Sequence, residues 1–355
     1  VTTDNSLELL ATYLRPTPSP TGLTSREIVR KAIEFDNPPR IPYSFVDPLE
    51  SDFFELAVLA GADGVARAAK GEMVFDEWGV GWRGSGRHWG HAEVSPLADL
   101  SALADYRFPQ VLSDQTRGLL KGVAETAGKA GKYVVGADSI NLFERLRSLM
   151  GFENLMIAAY TDSTRFQELL DHLTDMTVEL VDRYADLGNV HAFMSWDDWG
   201  LQTTLQIRPA QWREVFKPRY ERIVAACHRH GMHYVLHSCG FIWDIIPDFI
   251  DIGMDVIQID QPRLMGVQRL ADEFGGKICF WNCVDIQWSS QPEVTLDEVR
   301  VEAEETARRM ARFGGGFIAR QYPQPEDIEM PSEKHRAIYE GFMRGGCRRL
   351  PADQA

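Results

Sequence analysis

Apolar positions along the chain fall into two kinds of run. Short runs rich in β-branched and aromatic residues lie at 41–45, 133–137, 190–195, 233–237, 256–259, 278–282 and 316–320. Most are apolar throughout, the pattern of parallel strands covered on both faces. Between them lie stretches of roughly 12 to 20 residues whose apolar positions recur with a helical period. Their ends are marked. Thr24-Ser25-Arg26-Glu27 is a capping box opening a helix through about Phe35, which Asn37-Pro38-Pro39 stops. A helix over 209–230 starts on Pro209 and ends at Gly231, with Pro218 predicted to kink it; another over 242–252 ends at Gly253. Thr295 and Glu298 form a second capping box, and the helix it opens stops at Gly314-Gly315-Gly316.

Strand–helix alternation with seven visible strands predicts an α/β chain, a single (β/α)8 TIM-type barrel rather than a doubly wound sheet. The eighth strand is expected near 61–65 or within 72–89. The latter, EMVFDEWGVGWRGSGRHW, is aromatic and glycine-rich and reads as an inserted hairpin. Its glycines at 81–86 lack the following helix that a dinucleotide site requires. The Pro-rich stretch 13–22 reads as a surface arm. The expected organisation is an N-terminal arm at 1–23, the barrel at 24–343 and a C-terminal tail at 344–355.

Composition narrows the partners. With 37 basic against 52 acidic residues, the formal charge of the 355-residue chain is −15. That balance argues against nucleic acid and anionic membrane, whose affinity comes from clustered Lys and Arg. Five cysteines, at 227, 239, 279, 283 and 347, make no disulfide framework and suit a reducing compartment. No run approaches the roughly 18 apolar residues of a membrane span. The opening VTTDNSLELL lacks the charged and apolar regions of a secretory signal, so a cytoplasmic location is expected.

In a barrel, chemistry gathers at the C-terminal ends of the strands. Those positions carry Asp138; Trp196, Asp197 and Asp198; His237, Ser238 and Cys239; Asp260 and Gln261; Cys283 and Asp285; and Gln321 and Tyr322. Alternation puts His237 and Cys239 on one side as the chain leaves its strand. Imidazole and thiolate suit Zn²⁺. For a third ligand Cys283 is the first candidate, with Asp260, Asp198 and Tyr322 as alternatives; Cys279 reads as core. Of Asp197 and Asp198, adjacent on an extended segment, one is expected to enter the pocket, and Asp198 is the choice. Trp78, Trp82, Trp89, Trp196 and Trp199 are candidates for a flat pocket lining. Tyr43, Asp138, Trp196, Gln261 and Gln321 are candidate substrate-binding residues.

The stretch LHSCGFIWDIIPDFIDIGMDVIQIDQP followed by LADEFGGKICFWNCVDIQ resembles the uroporphyrinogen decarboxylase-like superfamily, specifically its methyltransferase-like, corrinoid-linked branch. LTSREIVRKAIEFDNPPRIPYSF, WDDWGLQTTLQIRPAQWREVFKPRY and GGGFIARQYPQPEDIEMPSEKHRAIYEGF extend the likeness over about 23–343. It implies one TIM-type barrel, often dimeric, with its pocket at the strand C-termini. The haem-pathway decarboxylase carries an Arg-Gln-Ala-Gly-Arg segment after its first strand. Here the matching region is Ile41-Pro42-Tyr43-Ser44-Phe45-Val46-Asp47, with no arginine pair to hold a polycarboxylate. The corrinoid-linked methyltransferases bind a thiolate acceptor on zinc through an H-x-C pair and a distant Cys. His237 and Cys239 match the pair, but where the last ligand falls this chain has Arg320-Gln321-Tyr322.

The expected function is a zinc-dependent methyltransferase. It moves a methyl group between a small methylated compound, a corrinoid or corrinoid protein, and a thiol or pterin acceptor. Asp198 and Asp260 would orient substrate, and Tyr322 would hydrogen-bond the departing atom. The rival readings are a metal-independent decarboxylase or lyase of a smaller acid, driven by Asp138 or Asp198 with His237, and a non-catalytic corrinoid-binding barrel.

Overall fold

A computed structural model describes Leu14, Thr17, Ser19 and residues 21–46, 50–56, 68–86, 90–161 and 164–347. Its strands are β1 (Tyr43–Ser44), β2 (Phe53–Leu56), β3 (Met73–Phe75), β4 (Gly81–Arg83), β5 (His91–Val94), β6 (Tyr133–Ala137), β7 (Ala192–Trp196), β8 (His233–His237), β9 (Val256–Ile259), β10 (Cys279–Asn282) and β11 (Phe317–Arg320). Eight of them form one sheet in the order β1-β11-β10-β9-β8-β7-β6-β2, with every ladder parallel. This is a nearly closed TIM-type barrel. The remaining three pair antiparallel as β3-β4-β5, so the aromatic, glycine-rich stretch is an inserted small sheet.

The eighth barrel strand is β2, upstream of both stretches in which it was expected. Of these, 61–65 lies outside the described residues. A four-residue strand, with no helix among the described residues between it and β1, breaks the alternation that reveals the others. Instead of a crossover, the chain folds back beside β1: Ser44 bridges Ser51 antiparallel, and the Asp52 amide donates to the Tyr43 carbonyl at 2.9 Å. The helix ends follow the sequence signals. Both capping boxes form, at Thr24/Glu27 and at Thr295/Glu298. The 209–230 segment splits at Phe216 into helices Pro209–Val215 and Lys217–Arg229, with Pro218 in the first turn of the second, where its missing N–H costs nothing. Among the described residues, no helix is long and apolar enough to cross a membrane.

Strand parity divides two cores. Val235, Val256, Cys279, Trp281, Ile318, Met194, Ala192, Val135, Tyr133 and Phe53 fill the barrel, with Phe53 stacked on Trp281 at 4.3 Å. Val29 and Ile33, from the helix Ser25–Ile33, close its floor. The alternate residues, such as Phe193, Tyr234, Leu236, Ile257 and Phe280, pack outward against the helices. Each inward set turns polar at its C-terminal end, so chemistry is confined to one rim.

The seam between β1 and β2 has no ladder, and a buried ion pair clasps it. Arg40 donates to both Asp52 oxygens at 2.6 and 2.7 Å, with side chains 1% and 0% exposed. Asp52 also accepts from the Tyr43 amide at 3.0 Å and the Ser25 hydroxyl at 2.6 Å, joining floor helix to seam. From the arm, Thr17 donates to the Ser51 carbonyl, and Lys132 bonds the same two groups. The expected tail begins inside packed structure: the Ile41 amide donates to Gly346 O at 3.0 Å, and Cys347 is buried.

A second clasp fixes the loop after β7. The helix Leu142–Met150 has no side-chain cap of its own at Asn141. Asp197 supplies one, accepting from the Phe143 and Glu144 amides at 2.8 and 3.0 Å and from the Tyr220 hydroxyl at 2.6 Å. In return, Asn141 accepts from the Trp196 amide at 2.9 Å. Burial pushes Asp197 up to about 8, against the pull of the Tyr220 and Glu144 hydrogen bonds.

Two consequences are measurable. Arg40→Met strands the Asp52 carboxylate and should cost roughly 3–5 kcal/mol in urea-unfolding free energy; a loss below about 1 kcal/mol would mean the pair contributes no more than a surface bridge. For Asp197 the folded value lies above the unfolded one of 3.8. The folded chain therefore holds the proton that the unfolded chain releases, and stability falls as pH rises from about 4 to about 8. Asp197→Asn should flatten that fall, seen as a smaller difference in urea midpoint between about pH 5 and about pH 8.

Candidate functional site

The rim of the barrel is built by register. Trp196 pairs with His237 and His237 with Gln258, and residues paired in parallel strands share a face. His237, Gln258 and Trp196 therefore project inward together. Two residues on, the chain leaving β8 presents Cys239, whose Sγ lies 3.4 Å from His237 Nε2.

Asp198 completes the cluster from the β7 loop. Its Oδ1 is 3.5 Å from His237 Nε2 and accepts the Cys239 amide at 2.8 Å. Two glycines bring the loops together. Gly200 donates to the Cys239 carbonyl, and Phe241 donates to Leu201 O across the crossing. A Cβ on Gly200 would sit 2.5 Å from Gly240 C; one on Gly240 would sit 2.4 Å from Gly200 O, at a backbone φ of +80°. Asp197 and Asp198 thus face opposite ways: Asp197 is sealed in the helix layer, while the Asp198 side chain is 42% exposed at the mouth.

His237, Cys239 and Asp198 present one ligand atom each, all within 4.8 Å of one another. Two ligands held at about 2.0–2.3 Å by a tetrahedral ion lie roughly 3.3–3.8 Å apart. The 3.4 and 3.5 Å separations match that span. Burial pushes the Cys239 thiol up, and the Asp198 and Asp260 carboxylates push it further. Arg320 pulls it back, and a thiolate here would be favoured further by any cation bound beside it.

Cys283 has a different partner. It is buried, and its Sγ donates to Asp260 Oδ1 at 3.1 Å. The same oxygen accepts from the Gln258 amide nitrogen at 2.8 Å and from the Arg320 guanidinium. Burial alone would raise Asp260, but Arg320, with His237 and these hydrogen bonds, holds its carboxyl below the usual range. Cys279 lies deeper in the barrel, in its apolar filling. The Tyr322 ring lies 5.9 Å from the Arg320 guanidinium, and burial, with Asp260 adding, pushes its hydroxyl up to about 12. Tyr322 therefore remains a proton donor at neutral pH. Glu55 shares the inward face of β2 by its register with Val135 and adds a carboxylate near Arg320.

Several of the candidate substrate-binding residues are occupied by the scaffold. Asp138 is buried, accepting from the Ser195 hydroxyl and Ile140 amide, both at 2.7 Å. Gln321 bridges the Val46 amide and His335 carbonyl; Gln261 accepts the Gly240 amide at 2.8 Å. Tyr43 lies under Arg40 and donates to Glu50 at 3.0 Å. Of the tryptophans, Trp196 is half-buried against the barrel interior at the rim. Trp199 and Trp78 are core, and Trp82 donates to Asp76 in the inserted sheet region; Trp89 lies outside the described residues. Gln258 escaped the sequence reading, and Arg320 was read only as the place of an absent cysteine. Their signal was parity: each is a polar residue on the inward face of an otherwise apolar strand.

A family model described as "Uroporphyrinogen decarboxylase (URO-D)" matches residues 97–312, more than half of the chain. No curated protein gives a significant sequence match. Among solved structures, a methyltransferase from Methanosarcina mazei aligns over 94% of this chain and 89% of its own, with TM-score 0.54 and 13% identity. A 3-keto-D-glucoside 4-epimerase from E. coli covers 64% of this chain and 85% of its own at TM-score 0.41 and 10% identity. An endo-β-1,4-xylanase from Gloeophyllum trabeum covers 66% and 82% at TM-score 0.41 and 10% identity. At 13% identity the likeness to the methyltransferase is one of fold. Taken with the barrel and its polar rim, the match over 97–312 establishes that the chain belongs to the uroporphyrinogen decarboxylase family.

Proposed function

We propose that the protein is a zinc-dependent methyltransferase that moves a methyl group between a small methylated compound, a corrinoid, free or carried by a partner protein, and a thiol or pterin acceptor. The observation that carries this reading is the His237, Cys239 and Asp198 cluster at the barrel rim, in which the distances from His237 Nε2 to Cys239 and to Asp198 suit one tetrahedral ion. The URO-D family match and the fold likeness to a methyltransferase are consistent with it.

Asp198, His237 and Cys239 would hold the ion. A zinc ion held there would supply Lewis-acid chemistry, lowering the pKa of an acceptor thiol. The protein's own groups do the rest. Trp196 offers an apolar wall beside the cluster. Tyr322, protonated at neutral pH, donates a hydrogen bond to a heteroatom of the substrate. Asp260, held in its charged form by Arg320, orients the inner rim. The rival decarboxylase reading would work through an Asp138 built into the scaffold, whose oxygens accept from the Ser195 hydroxyl and Ile140 amide and whose carboxyl is raised by burial.

Metal analysis of protein purified without chelator separates the ligand sets. Cys239→Ser should lose nearly all zinc, and Asp198→Ala should weaken its retention. Cys283→Ala should leave the stoichiometry unchanged. Full zinc content in C239S, or its loss in C283A with the fold intact, would falsify the assignment.

A further inference from the structure

Behind the His237 ring a chain of hydrogen bonds runs to the far side of the barrel. His237 Nδ1 lies 2.5 Å from Gln258 Oε1, Gln258 Nε2 donates to Asp260 Oδ1 at 2.8 Å, and Arg320 binds that same oxygen. Gln258 and Asp260 are 0% and 2% exposed. The orientation of the Gln258 amide is set by chemistry. Asp260 Oδ1 receives three donors, from Cys283, Arg320 and Gln258. An oxygen so surrounded is an acceptor, so the amide NH₂ must face it and the amide oxygen must face His237. That oxygen can only accept. His237 must then carry its proton on Nδ1, which leaves the Nε2 lone pair directed at Cys239 and Asp198.

We infer that Gln258, Asp260 and Arg320 form a positioning relay that locks the imidazole of His237 in the Nδ1-protonated tautomer, with Nε2 free to bind a metal. The relay rests on the proposed metal site and deepens it, because it explains what the chain does at the position after the last strand. Where the family resemblance expects a further thiolate ligand, Arg320 contributes a cation instead. It acts through Asp260 and Gln258 on the opposite edge of the His237 ring. The ligand role passes to Asp198, delivered by the glycine crossing at Gly200 and Gly240. Such outer contacts fix ring orientation and tautomer, and losing one lowers metal affinity about 10–100-fold.

The test reads the tautomer directly, without metal. In histidine-¹⁵N-labelled apoprotein above neutral pH, the His237 signal, identified by its loss in H237A, should show the proton on Nδ1. In Gln258→Met, an apolar side chain of similar length, that preference should disappear. Zn²⁺ affinity, measured by competition with a chromophoric chelator, should fall about 10–100-fold. Gln258→Glu, protonated on the oxygen that faces Asp260, keeps an oxygen acceptor against Nδ1 and should recover both the tautomer and most of the lost affinity, whereas a purely steric role for Gln258 would leave both unchanged in Q258M. A wild-type proton on Nε2, or Q258M binding zinc as tightly as wild type, overturns the relay. Should H237A itself keep its zinc, the metal reading fails, and the apoprotein spectrum still judges the relay by itself.

Discussion

Closure at the β1–β2 seam is the constraint on which the rest depends. A parallel sheet becomes a barrel only when its two edge strands are held together, and these two make no parallel ladder with one another. The Arg40–Asp52 pair takes the ladder's place, drawing in the Tyr43 amide and the Ser25 hydroxyl. Desolvating both charges is expensive, so the pair survives because every Asp52 oxygen is multiply bonded. β11 lies beside β1 and β10 by its own parallel ladders, and from its C-terminal end Arg320 reaches across the rim to Asp260.

At the rim itself, electrostatics sort the polar groups into two sets. Asp260 and Arg320 neutralise one another, and with Gln258 and Cys283 they form an inner network that touches the outer set through the Gln258–His237 hydrogen bond. Asp198, His237 and Cys239 stay together at the open mouth as a group able to hold a metal ion. That division explains why Cys283, though at the right end of the right strand, bonds a carboxylate while Asp198 joins the imidazole and thiol. Two glycines make the difference, since any Cβ at either one would force the loops apart.

Much of this was legible in the chain. Apolar runs of strand length between capped amphipathic helices are sufficient for the barrel, and strand ends point to His237, Cys239, Asp198, Asp260 and Tyr322 because parity and position follow from local geometry. Capping boxes at Thr24 and Thr295 were readable because their partners lie three residues away. The strand β2 was not, because it is short and comes after a fold-back rather than a helix. Gln258 passed unnoticed, and Arg320 was read only as the place of an absent cysteine, because a polar residue inside an apolar strand has no meaning until its neighbours across the barrel are known.

By itself, then, the sequence determined the parallel barrel, the end of it that bears chemistry, and the His237–Cys239 pair, since all three are set by periodicity and by residues two to four apart. Only the tertiary structure decided that Asp198 rather than Cys283 stands beside that pair, that Asp197 and Asp138 belong to the scaffold, and that Arg320 reaches Asp260. These are contacts between residues some 40 to 60 positions apart in the chain. Their geometry depends on strand stagger and loop crossing, which no local pattern encodes.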